Sequence, residues 1–264
     1  MAMNERVSVI MPSYNTGRMI CESIDSVLSQ TYQDLELLIS DDHSSDDETI
    51  SILKAYAQKD ERVKVFFLDA NKGAGVARNN SISHATGRYI AFCDSDDRWL
   101  PEKLEKQLAF MKEKDCCLCF SSYYTCNYKG DVIGKVIAPK TLTLSQEKRD
   151  NKIGCLTAIY DTAKHGKFYM PTIRKRQDWV LFLSILKKCG KAYAVQEPLA
   201  IYRKVPGSIS SNKINLIKYN AKVYKEAFGY SNFMAYMYLS VFFFPTYFKK
   251  KFQTWLNNHK RTSV

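Results

Sequence analysis

The sequence lacks the features that mark secreted, fibrous or disordered proteins. It has no internal repeat and no low-complexity linker, and its first six residues, MAMNER, contain no run of apolar side chains. We therefore expect neither a secretory signal nor a repetitive or unfolded chain. The 264 residues, 45% of them hydrophobic, are enough for one large domain with its own core, or for a domain with an appendage.

Cysteine is scarce and irregularly placed, with eight residues in the whole chain. This number and spacing do not suit a disulfide framework. The tightest group is Cys116, Cys117 and Cys119, with Cys126 nearby, and no second pair stands at the spacing of a zinc site. We predict reduced cysteines that pack as small hydrophobic residues in a strand, and therefore a cytoplasmic protein.

Acidic residues are nearly missing from the C-terminal part of the chain. Residues 201–264 contain eleven Lys or Arg and a single acid, Glu226, so they carry +10 of the formal charge of +12. The same residues hold 15 of the 34 aromatic side chains. This asymmetry predicts a basic, aromatic and mainly helical appendage over residues 211–264, attached to a nearly neutral domain.

Charged residues are absent from 227–248, and the lysines 249–251 follow at once. The length would span a bilayer, but Pro245 and several tyrosines make a poor spanning segment, and such rings prefer the headgroup region. We favour a segment on the cytoplasmic face of the inner membrane, where the lysines attract anionic lipid. Packing on the preceding domain or on a partner subunit is the alternative. No nucleic-acid-binding module is present, so we expect no nucleic acid partner.

Short apolar segments alternate with amphipathic ones in the first part of the chain. The apolar segments are Val7–Met11, Leu35–Ile39, Val63–Phe67 and Tyr89–Phe92. This order predicts an α/β fold with a mainly parallel central sheet flanked by helices on both faces. Ligands of such sheets lie beyond the carboxyl ends of the strands. The acids that follow Ile39 and Phe92 should therefore converge on one crevice.

Three carboxylates, those of Asp94, Asp96 and Asp97, stand within four residues directly after the fourth apolar segment. Two acids separated by one residue at a strand end can bind a hard divalent cation such as Mg²⁺ or Mn²⁺, which completes its shell with water and phosphate oxygens. The alternative is a set of solvated loop acids that cap the following helix. An Asp-x-Asp phosphatase is disfavoured because Arg98 stands where that motif has Thr or Val.

Four separated segments, in this order, resemble the inverting family 2 glycosyltransferases with the GT-A fold, which build O-antigen, capsule and other bacterial surface polysaccharides. The segments are VSVIMPSYN at 7–15, LISDDHSS at 38–45, NKGAGVARN at 71–79 running on to Asp94–Asp97, and RQDW at 176–179. The resemblance covers roughly residues 7 to 210. It implies a GT-A catalytic domain over 1–210, with a nucleotide-binding half to about 98 and an acceptor-binding half over about 99–210. Residues 211–264 would form a helical segment that associates with the membrane or packs on the protein.

The resemblance also implies a donor site for a nucleotide-diphosphate sugar, usually a UDP-sugar. The turn formed by Pro12, Ser13 and Tyr14 would hold the base and ribose, and Asp42 would accept the N3–H of uracil. Further residues of this site would be Asp41, Arg78 on the uracil or diphosphate, Asp94 on the ribose or sugar, and Ser95. Arg203 would clamp phosphate once the donor is bound.

The resemblance also implies the roles of two carboxylates in the reaction, one as metal ligand and one as base. Asp96 would bind Mn²⁺ or Mg²⁺ across both phosphates of the donor. Asp178 would be the general base that takes the proton from the acceptor hydroxyl. This chain has Gln177 where the family often has Glu. It also has Lys204 or Val205 where the family's flexible loop usually has His.

The implied activity is transfer of a hexose or N-acetylhexosamine, foremost glucose, galactose or GlcNAc, from UDP to a hydroxyl of an undecaprenyl-diphosphate-linked saccharide. The new bond would be β. We expect peripheral attachment to the cytoplasmic face of the inner membrane and allow for a homo-oligomer. The rival interpretation is a non-catalytic glycan-binding or scaffold subunit, which the retention of Asp42, Asp96 and Asp178 argues against.

Overall fold

The structure is a computed structural model that describes residues 5–205 and 213–249. Within these residues ten strands form one sheet: β1 Val7–Ser13, β2 Leu35–Asp41, β3 Val63–Phe67, β4 Tyr89–Phe92, β5 Arg98–Trp99, β6 Leu118–Cys126, β7 Val132–Val136, β8 Thr141–Thr143, β9 Ile159–Asp161 and β10 Lys191–Arg203. The α-helices are α1 Met19–Leu28, α2 Asp47–Lys59, α3 Ala74–His84, α4 Lys103–Lys114, α5 Leu144–Arg149, α6 Thr162–His165, α7 Gln177–Cys189, α8 Lys213–Phe228 and α9 Asn232–Tyr238. A 3₁₀ turn spans Cys155–Thr157, and a π-helical stretch, Leu239–Phe243, continues α9.

The sheet runs in the order β3-β2-β1-β4-β9-β6-β10-β5, with β7 beside β6 and β8 beside β10. The first four strands are parallel, as the alternation of apolar and amphipathic segments predicts. Beyond β4 the sheet becomes mixed, because β9 runs antiparallel to both β4 and β6, and β6 and β10 are parallel to each other. The short β9 therefore joins the parallel half to the second half without a crossover helix.

Alternate residues of the central strands pack into cores on opposite faces of the sheet. Val9 and Met11 of β1 lie with α1 and α4 on one face. Ile10, one residue away, packs with Phe92 and the α7 side chain Phe182 on the other. All of β1 and β2 is buried, as expected for parallel strands covered by helices on both sides. This burial fixes the strand register, so the loops that follow β1, β2 and β4 meet at one edge.

Glu36 ties three segments together at the end of the sheet opposite that edge. Its buried carboxylate accepts hydrogen bonds from the Ser8 hydroxyl at 2.6 Å and from the Thr86 N–H at 2.7 Å, and Lys64 lies 3.0 Å away. Burial raises the pKa of a carboxyl, but these donors outweigh it and lower the pKa of Glu36 to about 2. The ionised form is thus stabilised by the fold.

We expect Glu36→Gln to lower the free energy of unfolding at pH 7 by about 1–3 kcal/mol, because the pKa of Glu36 falls from 4.5 to about 2 on folding. A carboxyl group whose pKa is lower in the folded state than in the unfolded state stabilises the fold at pH values above its unfolded-state pKa. The advantage of the wild type should therefore be complete above about pH 5 and disappear as the pH falls through 4.5 toward 2. Urea unfolding across this range measures it. The exposed Glu113→Gln is the matched control, and an equal loss in both variants would contradict the prediction.

The cysteine prediction is wrong at one position. Cys117, at the start of β6, forms a disulfide with Cys189, the last residue of α7. The two residues are 72 apart in sequence, so no local spacing could indicate the pair. The other three cysteines of the predicted group, Cys116, Cys119 and Cys126, are buried free thiols, as expected.

The C-terminal segment packs on α7 with one face and exposes the other. Ala235, Leu239 and Phe243 contact a cluster that includes Trp179 and Tyr224, with the Trp179 and Tyr224 rings 5.8 Å apart. The opposite face is apolar and exposed. Its large side chains are Phe233, Met234, Tyr236, Met237, Val241, Phe242 and Phe248. None of the helices within 5–205 and 213–249 is long and apolar enough to cross a bilayer.

Candidate active site

The loops after β1 and β2 are locked together at the carboxyl edge of the sheet. Asn15 has a left-handed backbone (φ 47°), and its side-chain oxygen accepts the Ser45 N–H at 2.9 Å. Pro12 and Ser13 end β1 and are buried, whereas Tyr14 is half exposed. The predicted base-and-ribose turn is therefore a rigid backbone that presents one aromatic side chain to solvent.

Asp41 and Asp42 shape this edge through backbone contacts. Asp41 accepts bonds from the N–H and hydroxyl of Ser44 at 2.8 and 2.6 Å, so its carboxylate closes its own turn. Asp42 accepts the N–H groups of Lys72 and Gly73 at 2.9 and 2.7 Å and so holds the loop before α3. Each carboxylate oxygen has a second lone pair, so the predicted contact of Asp42 with uracil stays possible.

Gly73 begins the turn into α3 with φ 95°, a conformation that suits glycine. Gly75, two residues on, lies against the Gln177 side chain, and a Cβ there would come within 2.7 Å of its amide. The glycine-rich loop thus packs directly on the first residue of α7. An alanine at 75 would require the Gln177 side chain to move, a contact that the sequence did not indicate.

Arg78 of α3 is the positive centre of the site. It is largely buried and forms an ion pair with Asp94. Its guanidinium also interacts electrostatically with Asp96 and with Asp178. Burial disfavours a charged guanidinium, but these acids more than offset that effect and raise the pKa of Arg78. The structure thus brings together Arg78, Asp94, Asp96 and Asp178, which lie far apart in sequence.

The three acids after β4 have different surroundings. The Asp97 N–H donates to the Asp94 carbonyl at 3.0 Å, which forms a turn with Ser95 and Asp96 at its tip. Asp97 points inward and accepts the Arg203 N–H at 2.9 Å. Asp96 is partly exposed, and burial together with the charge of Asp94 raises its pKa to about 6. Asp97 is therefore the buried member of the three, and Asp94 and Asp96 are partly exposed.

Arg203, at the end of β10, holds several loops in place. Its Nε donates to the Asp96 carbonyl at 3.0 Å, its Nη1 to the Tyr128 carbonyl at 3.0 Å, and its Nη2 to the Glu22 carboxylate at 2.6 Å. The side chain is 3% exposed. In this arrangement the guanidinium supports the turn formed by Asp94–Asp97, which we call the acidic turn. To clamp a phosphate as predicted, Arg203 would have to give up one of these three partners. Glu22 was not indicated by any sequence motif.

Asp178 lies in the first turn of α7, next to two polar residues that sequence reasoning missed. The Asn151 amide is 3.3 Å from the Asp178 carboxylate and also lies beside Glu147. Glu147 is fully buried, and burial raises its pKa well above the usual range. The Trp179 indole N–H donates to the Glu147 carbonyl at 2.8 Å, so α5 and the start of α7 are fixed together. These residues lie in the stretch 139–175, where the sequence shows no clear periodicity.

The acidic turn suits a divalent cation. Neither carboxylate oxygen of Asp96 takes part in an ion pair within the described residues, and burial together with repulsion from Asp94 raises the Asp96 pKa to about 6. A cation at Asp96 would relieve that repulsion. The carboxylate of Asp96, with the Arg78-paired Asp94 beside it, matches Mg²⁺ or Mn²⁺, which take few protein ligands and keep sites for water and phosphate oxygens. The residues present therefore fit the metal that the sequence predicts.

Comparison with known proteins identifies the family. Residues 8–170 match the family model described as glycosyl transferase family 2, and the chain belongs to this family. One similar protein is the "Putative teichuronic acid biosynthesis glycosyltransferase TuaG" of Bacillus subtilis, 46% identical over 83% of this chain and 87% of its own length. Another is WfgD of Escherichia coli, a UDP-Glc:α-D-GlcNAc-diphosphoundecaprenol β-1,3-glucosyltransferase, 39% identical over 80% of this chain and 82% of its own.

Solved structures confirm the GT-A fold. The Staphylococcus aureus TarS fragment 1–349 with UDP-GlcNAc superposes with a TM-score of 0.69 at 24% identity, over 84% of this chain and 66% of the fragment. The same fragment with UDP gives a TM-score of 0.65 at 23% identity, and the superposition covers 65% of that fragment. The predictions of a family 2 glycosyltransferase and of its α/β fold are therefore confirmed.

We expect UDP to raise the melting temperature in the presence of Mn²⁺, and Asp96→Asn to abolish the metal-dependent part of that rise. A ligand at 100 times its Kd stabilises by about 2.7 kcal/mol. Protons compete with the cation for Asp96, so the rise should weaken as the pH falls through about 6. Thermal shift with UDP, GDP, CDP and dTDP measures the effect. Asp47→Asn, an exposed acid in α2, is the control. A metal response that Asp96→Asn leaves intact would place the cation elsewhere.

Proposed function

We propose that this protein is an inverting glycosyltransferase of bacterial surface polysaccharide synthesis that forms a β-glycosidic bond. It transfers a hexose or N-acetylhexosamine from a UDP-sugar to a hydroxyl of an undecaprenyl-diphosphate-linked saccharide. The observation that carries the proposal is the position of Asp178, which lies within electrostatic reach of Arg78, the residue that also interacts with Asp94 and Asp96. A base and a diphosphate site in one cleft are what displacement at a sugar carbon requires.

Inversion places the acceptor and the leaving group on opposite sides of the anomeric carbon. Asp178 accepts the proton from the acceptor hydroxyl as that oxygen attacks. Arg78 lies within electrostatic reach of both Asp94 and Asp178, and so of both sides of the reaction. A divalent cation held by Asp96 would neutralise the charge that develops on the departing UDP. Asn151 lies beside both the base and the buried Glu147.

The choice of donor and acceptor rests on the relatives. WfgD, 39% identical, and WfaP of Escherichia coli, 36% identical, are both UDP-Glc:α-D-GlcNAc-diphosphoundecaprenol β-1,3-glucosyltransferases. These names support UDP-glucose as the first donor to test, ahead of UDP-galactose and UDP-GlcNAc. They also support GlcNAc-α-diphosphate-lipid as the first acceptor.

We expect Asp178→Asn to lower kcat by about 10²- to 10⁴-fold, because the amide cannot take the acceptor proton. Binding of UDP with Mn²⁺ should be unchanged, since Asp178 does not hold the diphosphate. Transfer from each UDP-sugar to GlcNAc-diphosphate-lipid measures the rate, and the proton coupling constant of the product reports the anomer. Asp47→Asn is again the control. Retention of full activity in Asp178→Asn, or an α product from an α-linked donor, would refute the mechanism.

The exposed apolar face of the C-terminal segment supports attachment to the cytoplasmic face of the inner membrane. Phe233 is 78% exposed, Val241 55% and Phe248 62%, and the sequence continues with lysines 249–251. Exposed aromatic side chains beside lysines match an interfacial segment on anionic lipid. Since the other face of the same segment packs on α7, docking at the bilayer would also orient the cleft toward a lipid-linked acceptor.

We expect the double variant Phe233→Ser and Phe248→Ser to weaken binding to vesicles that contain anionic lipid by about 10-fold or more, since each buried Phe contributes about 1.5–3 kcal/mol. Co-sedimentation of the full chain measures this. The matched control is Val132→Ser with Ile133→Ser, two similarly exposed residues of β7. Equal pelleting of both double variants would exclude the C-terminal face as the membrane contact.

A further inference from the structure

Three potential metal ligands converge at the end of the sheet opposite the active site. The sulfur atoms of Cys117 and Cys189 and an imidazole nitrogen of His165 all lie within 4.8 Å of one another. Cys117 directly precedes β6. The other end of β6, at Cys126, pairs with Arg203 at the end of β10. This thiol–imidazole cluster, defined as Cys117, His165 and Cys189, is therefore separate from the acidic turn.

Each member of the cluster is positioned by backbone structure. The Cys117 carbonyl accepts the Asp161 N–H at 2.9 Å, which fixes the start of β6 against the residue before α6. Lys164 of α6 donates to the carbonyl and the carboxylate of Asp115, both at 2.6 Å. These contacts hold His165, the last residue of α6, next to Cys117. The position of His165 is thus built into the fold.

Cys189 comes from a third element. It is the last residue of α7, and Gly190, with φ 72°, ends the helix there. No hydrogen bond involves the His165 imidazole within residues 5–205 and 213–249, so the ring is available as a ligand. Two thiolates and one imidazole form the kind of ligand set that zinc prefers.

We propose that the thiol–imidazole cluster binds Zn²⁺ when the disulfide is reduced. Ligand atoms around tetrahedral zinc lie about 3.3–3.8 Å apart, given bonds of about 2.3 Å to sulfur and 2.0–2.1 Å to nitrogen. A cluster whose atoms all lie within 4.8 Å needs only side-chain adjustment to reach that geometry. The fourth position is open to water. The site would cross-link the ends of α6 and α7 to the start of β6.

The disulfide and the zinc complex are alternative states of the same two sulfur atoms. A dithiol reductant supplies two electrons and two protons to the Cys117–Cys189 bond and is itself oxidised to a disulfide. Zn²⁺ then binds the two thiols and releases their two protons, since the thiolates are the ligands. Oxidation of the thiols by a small-molecule disulfide expels the metal. Either state holds the C-terminal end of α7, the helix that begins beside Asp178, to the sheet.

The test uses the full chain, reduced with a phosphine, stripped with a chelator and titrated with Co²⁺ as a spectroscopic substitute for Zn²⁺. We expect a thiolate-to-cobalt charge-transfer band and intense d–d absorption of a tetrahedral site, both displaced by Zn²⁺. Cys117→Ser combined with Cys189→Ser should abolish the charge-transfer band, because no thiolate of the cluster then remains. His165 lies at an exposed position. His165→Ala should lower the affinity for Co²⁺ by at least about 10-fold, because loss of a residue that only supports a metal ligand already has an effect of that size.

Matched variants separate this site from other metal binding. Cys21→Ser and His84→Ala, which lie outside the cluster, should leave the spectrum unchanged. Asp96→Asn should also leave it unchanged, because a carboxylate site gives no thiolate band. A reduced protein without the band would overturn the proposal, and so would a His165→Ala variant that binds Co²⁺ as tightly as the wild type. Neither result depends on glycosyl transfer.

Discussion

Pairing between buried arginines and the carboxylates after β4 is the constraint on which the site depends. Asp94, Asp96 and Asp97 repel one another within one turn, and burial raises the pKa values of Asp96 and Asp97. Arg78 neutralises the turn from α3, and Arg203 fixes it through the backbone from β10. The two halves of the sheet therefore meet at the acidic turn, which Arg78 reaches from one half and Arg203 from the other.

The parallel half of the sheet was readable from sequence because its signals are local. The apolar runs of β1 to β4 and the acids directly after them specify both the strands and the edge where the side chains gather. Asp178 needed the family resemblance, since an acid opening a helix is more often a cap than a base. The structure then gave it a physical context, because Arg78 and Asn151 lie beside it. Its catalytic role and that of Asp96 stay predictions.

Other features were hidden because they depend on contacts between distant residues. Glu147 and Asn151 lie in a stretch without periodicity, and only packing against α7 shows their place beside Asp178. The sulfur atoms of Cys117 and Cys189 meet across 72 residues. The mixed strand directions in the second half of the sheet could not be predicted either, because the three-residue β9 is too short to produce a recognisable sequence pattern. Its direction is set by its neighbours.

The C-terminal segment is joined to the catalytic half more closely than an appendage would be. Lys148 of α5 lies over the rings of Phe228, Tyr230 and Tyr238 at 4.3 to 4.8 Å, and Trp179 is covered by the same aromatic cluster. Side chains of residues 221–243 thus complete the hydrophobic core behind the helix that bears Asp178. A chain shortened before α8 would expose that core, so the C-terminal segment and the helix that bears Asp178 depend on each other for their packing. Exchange of C-terminal segments between relatives is therefore limited by how well each segment fits its own α7.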